Sequence, residues 1–249
     1  MGKKYKNPPI VEALCEFQFL PNQPWDITIP GILYEKIKDE FPVKQQQVGF
    51  GVAVKPGKAG MVLKPEIEFG PPRMQFFSKD KISLVQVGPD LLTVNHLRPY
   101  STWKKFKPLI LKIFGEYIVI ANPKGVRQIR LRYINKIDFD QHKIELSDYF
   151  NYYPSIPSNL PQTYKTFQVT VEIPYNNERD TLRLSFATII PEKPNVLSLL
   201  FDLDYVMILP ESIVLDKLPD WLEDAHTAIE NAFEACIKDK CRKLFEEVK

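Results

Sequence analysis

Apolar and polar residues alternate strictly over residues 12–19 (EALCEFQF) near the start of the chain. One side of this segment carries Ala13, Cys15, Phe17 and Phe19. The other side carries Glu12, Glu16 and Gln18, together with Leu14. A period of two residues is typical of a strand with one buried face. The pattern therefore predicts a strand whose acidic side chains lie on the face away from the core.

The rest of the first half predicts a helix, a series of strands and a second helix. Pro30 opens a helical stripe that Pro42 ends, with apolar positions at Ile32, Leu33, Ile37 and Phe41. After a weakly patterned segment to about Gly60, we expect extended pieces at 61–69, 74–77, 82–87 and 91–97. Hairpin turns are expected at 78–81 and 88–90. A helix over residues 101–118 follows, with Ser101 as its N-cap, and Pro108 either kinks it or marks its true beginning.

The second half repeats this order of elements. A long strand is expected at 127–139, a short helix at 144–150, and further strands at 167–173, 181–190 and 196–208. A closing helix begins near Pro219, and its apolar face carries Trp221, Leu222, Ala225, Ile229, Phe233 and Ile237. Each half is therefore expected to end in an amphipathic helix that covers its strands.

The spacing of the two halves suggests an internal duplication. Glu12 lies 91 residues before Trp103, and Arg127 lies 94 residues before Trp221. We expect a first repeat unit at 1–122 and a second at 123–249, together forming a single globular domain. The predicted fold class is α+β, with one mostly antiparallel sheet, helices on one face, and the shape of a saddle or an incomplete barrel. The alternative is that any α+β chain can be cut into similar halves.

Composition narrows the classes of function and the compartment. Lys and Arg total 33 against 31 for Asp and Glu, a net charge of +2, whereas nucleic-acid binding usually needs a basic excess or a basic cluster. The three cysteines form no C-x-x-C pair, which favours a reducing compartment. Because the chain shows neither the apolar core of a signal peptide nor an apolar run of about 20 residues, we expect a cytoplasmic protein with no membrane association.

Several motifs resemble a sporadically distributed prokaryotic family of uncharacterised proteins. They are YKNPPIVEA (5–13), QVGPD (86–90), VNHLRPYSTW (94–103), LRYINKID (131–138), and Leu203-Asp204 ahead of Trp221-Leu222-x-x-Ala225-His226. The chain departs from the pattern at His96, where the family favours Arg. The resemblance implies a coherent fold and no particular chemistry. A patchy distribution would suit a component of a defence or mobile-element system.

Two carboxylates in LFDLDY (residues 200–205) are candidates for a metal site. Asp202 and Asp204 are two positions apart, so a strand places both on one face, where they could hold Mg²⁺ or Mn²⁺ beside a phosphate. A third carboxylate would be needed, and Asp138 or Glu16 could supply it. The alternative, which we favour, is that the aspartates pair with arginines across strands.

Arginines alternate with apolar residues in the strand expected at 127–139. Arg130 and Arg132 both point away from the core, where Glu12 and Glu16 would oppose them if the first strands of the two halves are neighbours. Either a ladder of ion pairs or a pocket for a small anionic ligand would result. The alternation of polar and apolar residues shifts by one position at Asn135, and a β-bulge there would turn the Asn135 side chain toward a site.

His226 lies at the edge of the apolar stripe of the closing helix. It is interpreted as a packed structural residue, and as a catalytic base it would need Asp202 or Asp204 within reach. Cys15 lies on the apolar face of its strand and is interpreted as core rather than nucleophile. The chain contains no G-x-S-x-G elbow, no P-loop and no G-x-G-x-x-G fingerprint, so no cofactor is predicted.

These observations favour a protein that binds a partner on the polar face of its sheet. The candidate binding residues are Glu12, Glu16, Arg130, Arg132, Asn135, Asp202, Asp204 and His226. The expected partner is a protein or a small anionic ligand, and a homodimer is compatible with a sheet whose edges need cover. Two alternatives stay open: a metal-dependent enzyme acting on a phosphorylated or nucleotide substrate, and a nucleic-acid-binding protein. The sequence does not decide whether the chain is an enzyme, but it favours a protein without catalytic activity.

Overall fold

The computed structural model of the chain describes residues 3–21, 25–54, 65–162 and 165–248. Within these residues the fold is α+β, with nine strands in one sheet and five α-helices. The strand order is β2-β3-β4-β5-β1-β6-β9-β8-β7, and every neighbouring pair is antiparallel. The sheet does not close on itself, so β2 and β7 are its two edges.

The helices and strands follow the order predicted from the sequence. The elements of the first part are β1 (Ile10–Phe19), α1 (Ile29–Ile37), β2 (Val43–Val54), β3 (Pro65–Phe77), β4 (Ser83–Gly88), β5 (Leu91–Leu97) and α2 (Trp103–Ala121). Those of the second part are β6 (Val126–Phe139), α3 (Leu146–Tyr149), β7 (Gln168–Tyr175), β8 (Asp180–Ile189), β9 (Leu197–Met207), α4 (Leu218–Cys236) and α5 (Asp239–Phe245).

Two elements were not predicted. Strand β2 falls in the segment that looked weakly patterned, because its side chains at residues 43–47 (VKQQQ) are exposed at the edge of the sheet and show no buried face. Helix α5 is short and follows directly on α4, so the sequence shows no boundary between the apolar patterns of the two helices. The expected strand at 61–69 is found from Pro65 onward as part of the continuous β3, and residues 61–64 lie outside the described residues.

Helix α2 differs from its prediction at the N-terminus. It begins at Trp103 with Thr102 as its N-cap residue, so Ser101 is not the cap. Pro108 lies inside the helix. Proline lacks an N–H group and is tolerated best in the first turn of a helix, so Pro108 weakens the backbone hydrogen bonding of α2 near its start. In α1 the helix ends at Ile37, and the buried Phe41 lies beyond it.

The helices cover the apolar face of the sheet. Phe17 of β1 packs on Phe114 of α2 with ring centroids 4.5 Å apart, and Phe150 packs on Phe186 of β8 at 4.7 Å. Tyr205 of β9 contacts Trp221 of α4 edge-on at 5.7 Å. Because successive side chains of a strand alternate between faces, the polar residues of the same strands lie on the opposite side. That side, without a described helix against it, carries the candidate site.

Candidate functional site

The two central strands, β1 and β6, bring acidic and basic residues into register. Glu16 lies directly opposite Arg130, as the sequence predicts, and Arg132 lies opposite Asp204 of β9. Glu12 lies opposite Ile134 instead, so it opposes neither arginine. We define the polar face as the side chains of Glu12, Glu16, Thr93, Asn95, Arg130, Arg132, Asp202 and Asp204.

The strongest ion pair of the polar face joins Arg132 to Asp202. Arg132 Nε donates to Asp202 Oδ1 at 2.8 Å, and Nη2 donates to Oδ2 at 2.6 Å. Two parallel bonds to both carboxylate oxygens are the geometry that arginine makes best. The hydrogen bonding to Asp202 raises the pKa of the Arg132 guanidinium further above its usual value. Arg132 and Asp202 therefore form a closely bonded ion pair.

The neighbouring pair, Arg130 and Asp204, is less well matched. Arg130 Nε lies 3.1 Å from Asp204 Oδ1, and Arg130 Nη1 lies 3.7 Å from Glu16 Oε1. Although the first distance is short, the groups are not aligned as a hydrogen bond, and both atoms are buried without a hydrogen-bond partner. The Coulombic attraction is therefore present while the directional bond is not made.

A third unpartnered atom lies in the same area. Thr93 Oγ1 is buried and makes no hydrogen bond to the described part of the chain, and Thr93 lies opposite Glu16 on the other side of β1 from Arg130. Nearly all buried polar atoms in folded proteins find a partner. Three buried atoms without a hydrogen bond to any described residue, one each on β5, β6 and β9, therefore mark the middle of the polar face as incompletely satisfied.

Burial changes the protonation of Asp204. Desolvation raises the pKa of its carboxyl group to about 6, against the opposing attraction of Arg130 and Arg132. The nearby Asp202 raises the pKa as well. The charge of Asp204 therefore changes near neutral pH.

A row of amide side chains extends the polar face toward the edge strand β2. Gln75 donates to Gln86 at 3.1 Å, Gln86 donates to Asn95 at 3.1 Å, and Asn95 donates to Glu12 Oε1 at 2.6 Å. Gln75 also donates to Gln47 at 2.7 Å. Chains of hydrogen bonds that end on a charged acceptor strengthen one another. The row therefore holds the Glu12 side chain in place.

The sequence interpretation missed these residues. Thr93, Gln86 and Gln75 each lie between two apolar residues and Asn95 follows Val94, so this local alternation was visible in the sequence. Their neighbours could not be identified, because the pairing of β5 with β1 joins residues about 80 positions apart. The polar face is therefore larger than the set of charged residues predicted.

Two of the predicted site residues lie on the other side of the sheet. Asn135 is buried among the core positions of β6 and donates to the backbone carbonyl of Phe201 at 3.0 Å. The alternation of β6 continues through Asn135, and the register irregularity lies in β1, between Ile10 and Glu12. His226 stacks on Trp103 with ring centroids 4.3 Å apart, and burial lowers its pKa to about 4. Neither residue joins the polar face.

The aspartates proposed for a metal do share one face. Both oxygens of Asp202 accept hydrogen bonds from Arg132, and Asp204 lies against Arg130. Among the residues that the structure describes, no group of three or more His, Cys, Asp or Glu side chains is placed to hold a metal ion. Cys15 is fully buried, and burial raises the pKa of its thiol well above the usual value, so it belongs to the core.

Comparison of the chain with known proteins gives no match to any family profile and none to a curated protein. The family resemblance inferred from the sequence motifs therefore stays a prediction. In the described part of the chain, no helix has the length and apolar character that crossing a bilayer requires. The function of the chain is inferred from its own geometry.

Proposed function

We propose that the chain is a binding protein that holds a protein partner on the polar face of its sheet. The observation that carries this proposal is a group of three buried polar atoms that make no hydrogen bond to the described residues: Thr93 Oγ1, and the ion-paired Arg130 Nε and Asp204 Oδ1. A buried polar atom without a partner costs about 1–3 kcal/mol, which applies in full to Thr93 Oγ1 and in part to the two ion-paired atoms. A partner toward which these side chains turn would supply the missing bonds and recover that cost on binding.

The chemistry of the three atoms favours a peptide segment over a small anion. Arg130 Nε requires an acceptor, the ionised carboxylate of Asp204 requires a donor, and the hydroxyl of Thr93 takes either. A peptide backbone carries both an acceptor and a donor in every residue. An anion would accept a hydrogen bond from Arg130, but it would also lie beside the negative charge of Asp204. Because Asp204 is desolvated, the repulsion between these two negative charges would be strong.

Nucleic acid fits the polar face less well. A phosphate backbone is bound by a continuous strip of Lys and Arg side chains. On the polar face each arginine is already paired: Arg132 with Asp202, and Arg130 with Asp204 and Glu16. The face therefore supports a partner of mixed polarity better than a polyanion.

We further infer that residues 1–122 and 123–249 are two copies of one unit. The strand order supports this, because β1 and β6 are neighbours at the centre, and each is followed by a helix, a set of strands and a further helix. In such an arrangement the polar face would run across both units. A binding component of a larger assembly, such as a defence or mobile-element system, is the role we expect for it.

The proposal is tested by affinity capture with variants of the polar face. The chain and its Thr93→Val and Arg130→Gln variants are used as bait in a native lysate of the source cells, with captured proteins quantified by mass spectrometry. We expect at least one protein whose recovery falls about tenfold with both variants, since one lost hydrogen bond to a charged or buried group costs about 1.4 kcal/mol or more.

The matched control is Thr170→Val, which makes the same chemical change on the edge strand β7. Recovery should be unchanged with this control. If every captured protein is recovered equally by Thr93→Val and wild type, the polar face is not the binding surface. A thermal shift with Mg²⁺ or Mn²⁺ plus nucleotide that disappears in Asp202→Asn would replace the proposal with the metal-dependent enzyme.

A further inference from the structure

A cleft of about 730 Å³ lies on the helical side of the sheet, opposite the polar face. It is bounded by the turn between β3 and β4, the end of β5, and the first turns of α2. Its apolar wall is formed by Phe41, Ile82, Pro99, Tyr100, Pro108 and Leu109. The volume is within the range of small-molecule sites, which combine apolar walls with a few polar groups.

Two polar residues in this cleft are hydrogen-bonded in an orientation that suits catalysis. Ser101 Oγ lies 2.9 Å from His96 Nε2, and His96 Nδ1 lies 3.0 Å from the carbonyl oxygen of Leu97. A carbonyl oxygen can only accept a hydrogen bond, so Nδ1 must carry a proton. In the neutral imidazole Nε2 is then the acceptor, and the hydroxyl of Ser101 donates to it.

The imidazole is held in place while the serine stays accessible. His96 is buried, with the rings of Tyr100 and Phe106 edge-on at 5.3 Å and 5.9 Å. Ser101 is exposed at the cleft. A fixed base beside an accessible hydroxyl is the arrangement that activates a serine nucleophile, and the Leu97 carbonyl takes the orienting role of the third group.

Groups that stabilise negative charge lie beside Ser101. Helix α2 begins two residues later, and no side chain of the described residues caps its N-terminus. The N–H of Lys105 donates to the Thr102 carbonyl, whereas those of Trp103 and Lys104 are left for a ligand. Lys105 lines the same cleft and has no acidic partner among the described residues. Backbone N–H groups and a cation are the elements that stabilise an oxyanion.

We propose that Ser101 and His96 form a catalytic pair that hydrolyses esters or thioesters with an apolar acyl group. Ser101 Oγ bonds to the acyl carbon while its proton moves to His96 Nε2, and the carbonyl electron pair moves to oxygen. Collapse of this intermediate breaks the bond to the alcohol or thiol, which leaves with the proton from Nε2. Water then attacks the acyl-serine with His96 as base, releasing the carboxylic acid and restoring Ser101.

This activity is independent of partner binding on the polar face. The two sites lie on opposite sides of the sheet and share no residue, so either can fail without the other. The apolar wall selects the acyl group, whereas the alcohol or thiol would leave toward the open side of the cleft. Short acyl chains bonded to a good leaving group are therefore the first substrates to test.

The test is covalent labelling of the full chain with a fluorophosphonate probe, together with hydrolysis of p-nitrophenyl acetate and butyrate. We expect peptide mapping to place the adduct on Ser101, and Ser101→Ala to lower the hydrolysis rate about 100-fold, the lower range of general-base catalysis. Because Ser101 is exposed, this variant should fold normally, which its melting temperature verifies.

The matched control is Ser158→Ala. Ser158 is exposed and does not line the cleft, so this variant makes the same chemical change away from the proposed site. Its labelling and hydrolysis should equal those of wild type, and His96→Gln should abolish labelling of Ser101. An adduct on another residue, or a hydrolysis rate unchanged by Ser101→Ala, would overturn the proposal.

Discussion

The indole N–H of Trp221 donates a 3.1 Å hydrogen bond to Oδ1 of Asp180, a carboxylate with no exposed surface. Asp180 Oδ2 accepts from Asn176 at 2.6 Å, from Arg179 Nη2 at 2.6 Å and from the hydroxyl of Tyr205 at 3.2 Å. One buried carboxylate thus joins the β7–β8 hairpin, strand β9 and helix α4. A buried charge is tolerated only with such a set of donors.

We expect Asp180→Ala to lower the free energy of unfolding by about 3–5 kcal/mol, because it leaves several buried donors without an acceptor. Trp221→Phe should lower the free energy of unfolding by a smaller amount, since it removes one of those donors and part of the packing of the indole ring. Urea denaturation measures both. Asp220→Ala is the control, because Asp220 is exposed and, among the described residues, pairs with Lys217 alone. A cost below 1 kcal/mol for Asp180→Ala would show that the carboxylate is not the anchor.

Thr93→Val should stabilise the unbound chain by about 1 kcal/mol. The buried hydroxyl of Thr93 has no partner, and valine keeps the shape while removing the cost of its desolvation. Thr170→Val should destabilise the chain by a smaller amount, because it removes the 3.1 Å hydrogen bond between Thr170 Oγ1 and Ser185 Oγ on an exposed strand. Urea denaturation of both variants measures the difference, and destabilisation by Thr93→Val would mean that the hydroxyl does have a partner.

Asp204 should make the fold less stable as pH rises from 4 to 6. Its pKa in the folded chain is about 6 against a usual 3.8, so the folded state binds the proton more tightly. The stabilisation is complete below the usual pKa and is lost as pH rises through 6, a change of about 3 kcal/mol at 1.36 kcal/mol per pKa unit.

Asp204→Asn should therefore gain stability relative to wild type between pH 4 and pH 7, because the variant cannot ionise. Urea denaturation at several pH values measures the difference, and Asp220→Asn serves as the control. A difference that stays constant over this range would contradict an Asp204 pKa near 6.

His226 should make the fold more stable as pH rises from 4 to 6.5, which is the opposite of the effect of Asp204. Burial lowers its pKa to about 4 from 6.5, so the folded state binds the proton less tightly. The contribution of His226 is present above pH 6.5 and is lost as pH falls through 4, by about 3 kcal/mol. The pH dependence of wild-type stability therefore shows neither contribution clearly, because those of Asp204 and His226 partly cancel.

His226→Phe keeps an aromatic ring against Trp103 and removes the titration. We expect its stability relative to wild type to rise as pH falls from 6.5 to 4. The same urea experiment measures it, and a proton NMR titration of the wild-type imidazole gives the pKa directly. An imidazole that titrates near 6.5 in the folded chain would contradict the buried stacking.

The alternation of EALCEFQF was enough to predict β1, its buried face and the outward position of Glu16, because side-chain direction in a strand depends only on local backbone geometry. The same local signal predicted β6, α2 and α4 to within a few residues. It failed for β2, whose side chains at residues 43–47 are exposed at an edge, and it misplaced Asn135, whose polarity suggested a slip that the strand does not make.

Long-range pairing decided the rest. Thr93 lies opposite Glu16 only because β5 lies beside β1, and Asp180 meets Trp221 only because α4 returns over β8 and β9. The tautomer of His96 depends on which two oxygens the folded chain brings to its ring. Sequence by itself determined the local elements and the side on which each residue lies. The tertiary structure decided which polar atoms meet, because hydrogen bonds and ion pairs depend on contacts between residues far apart in the chain.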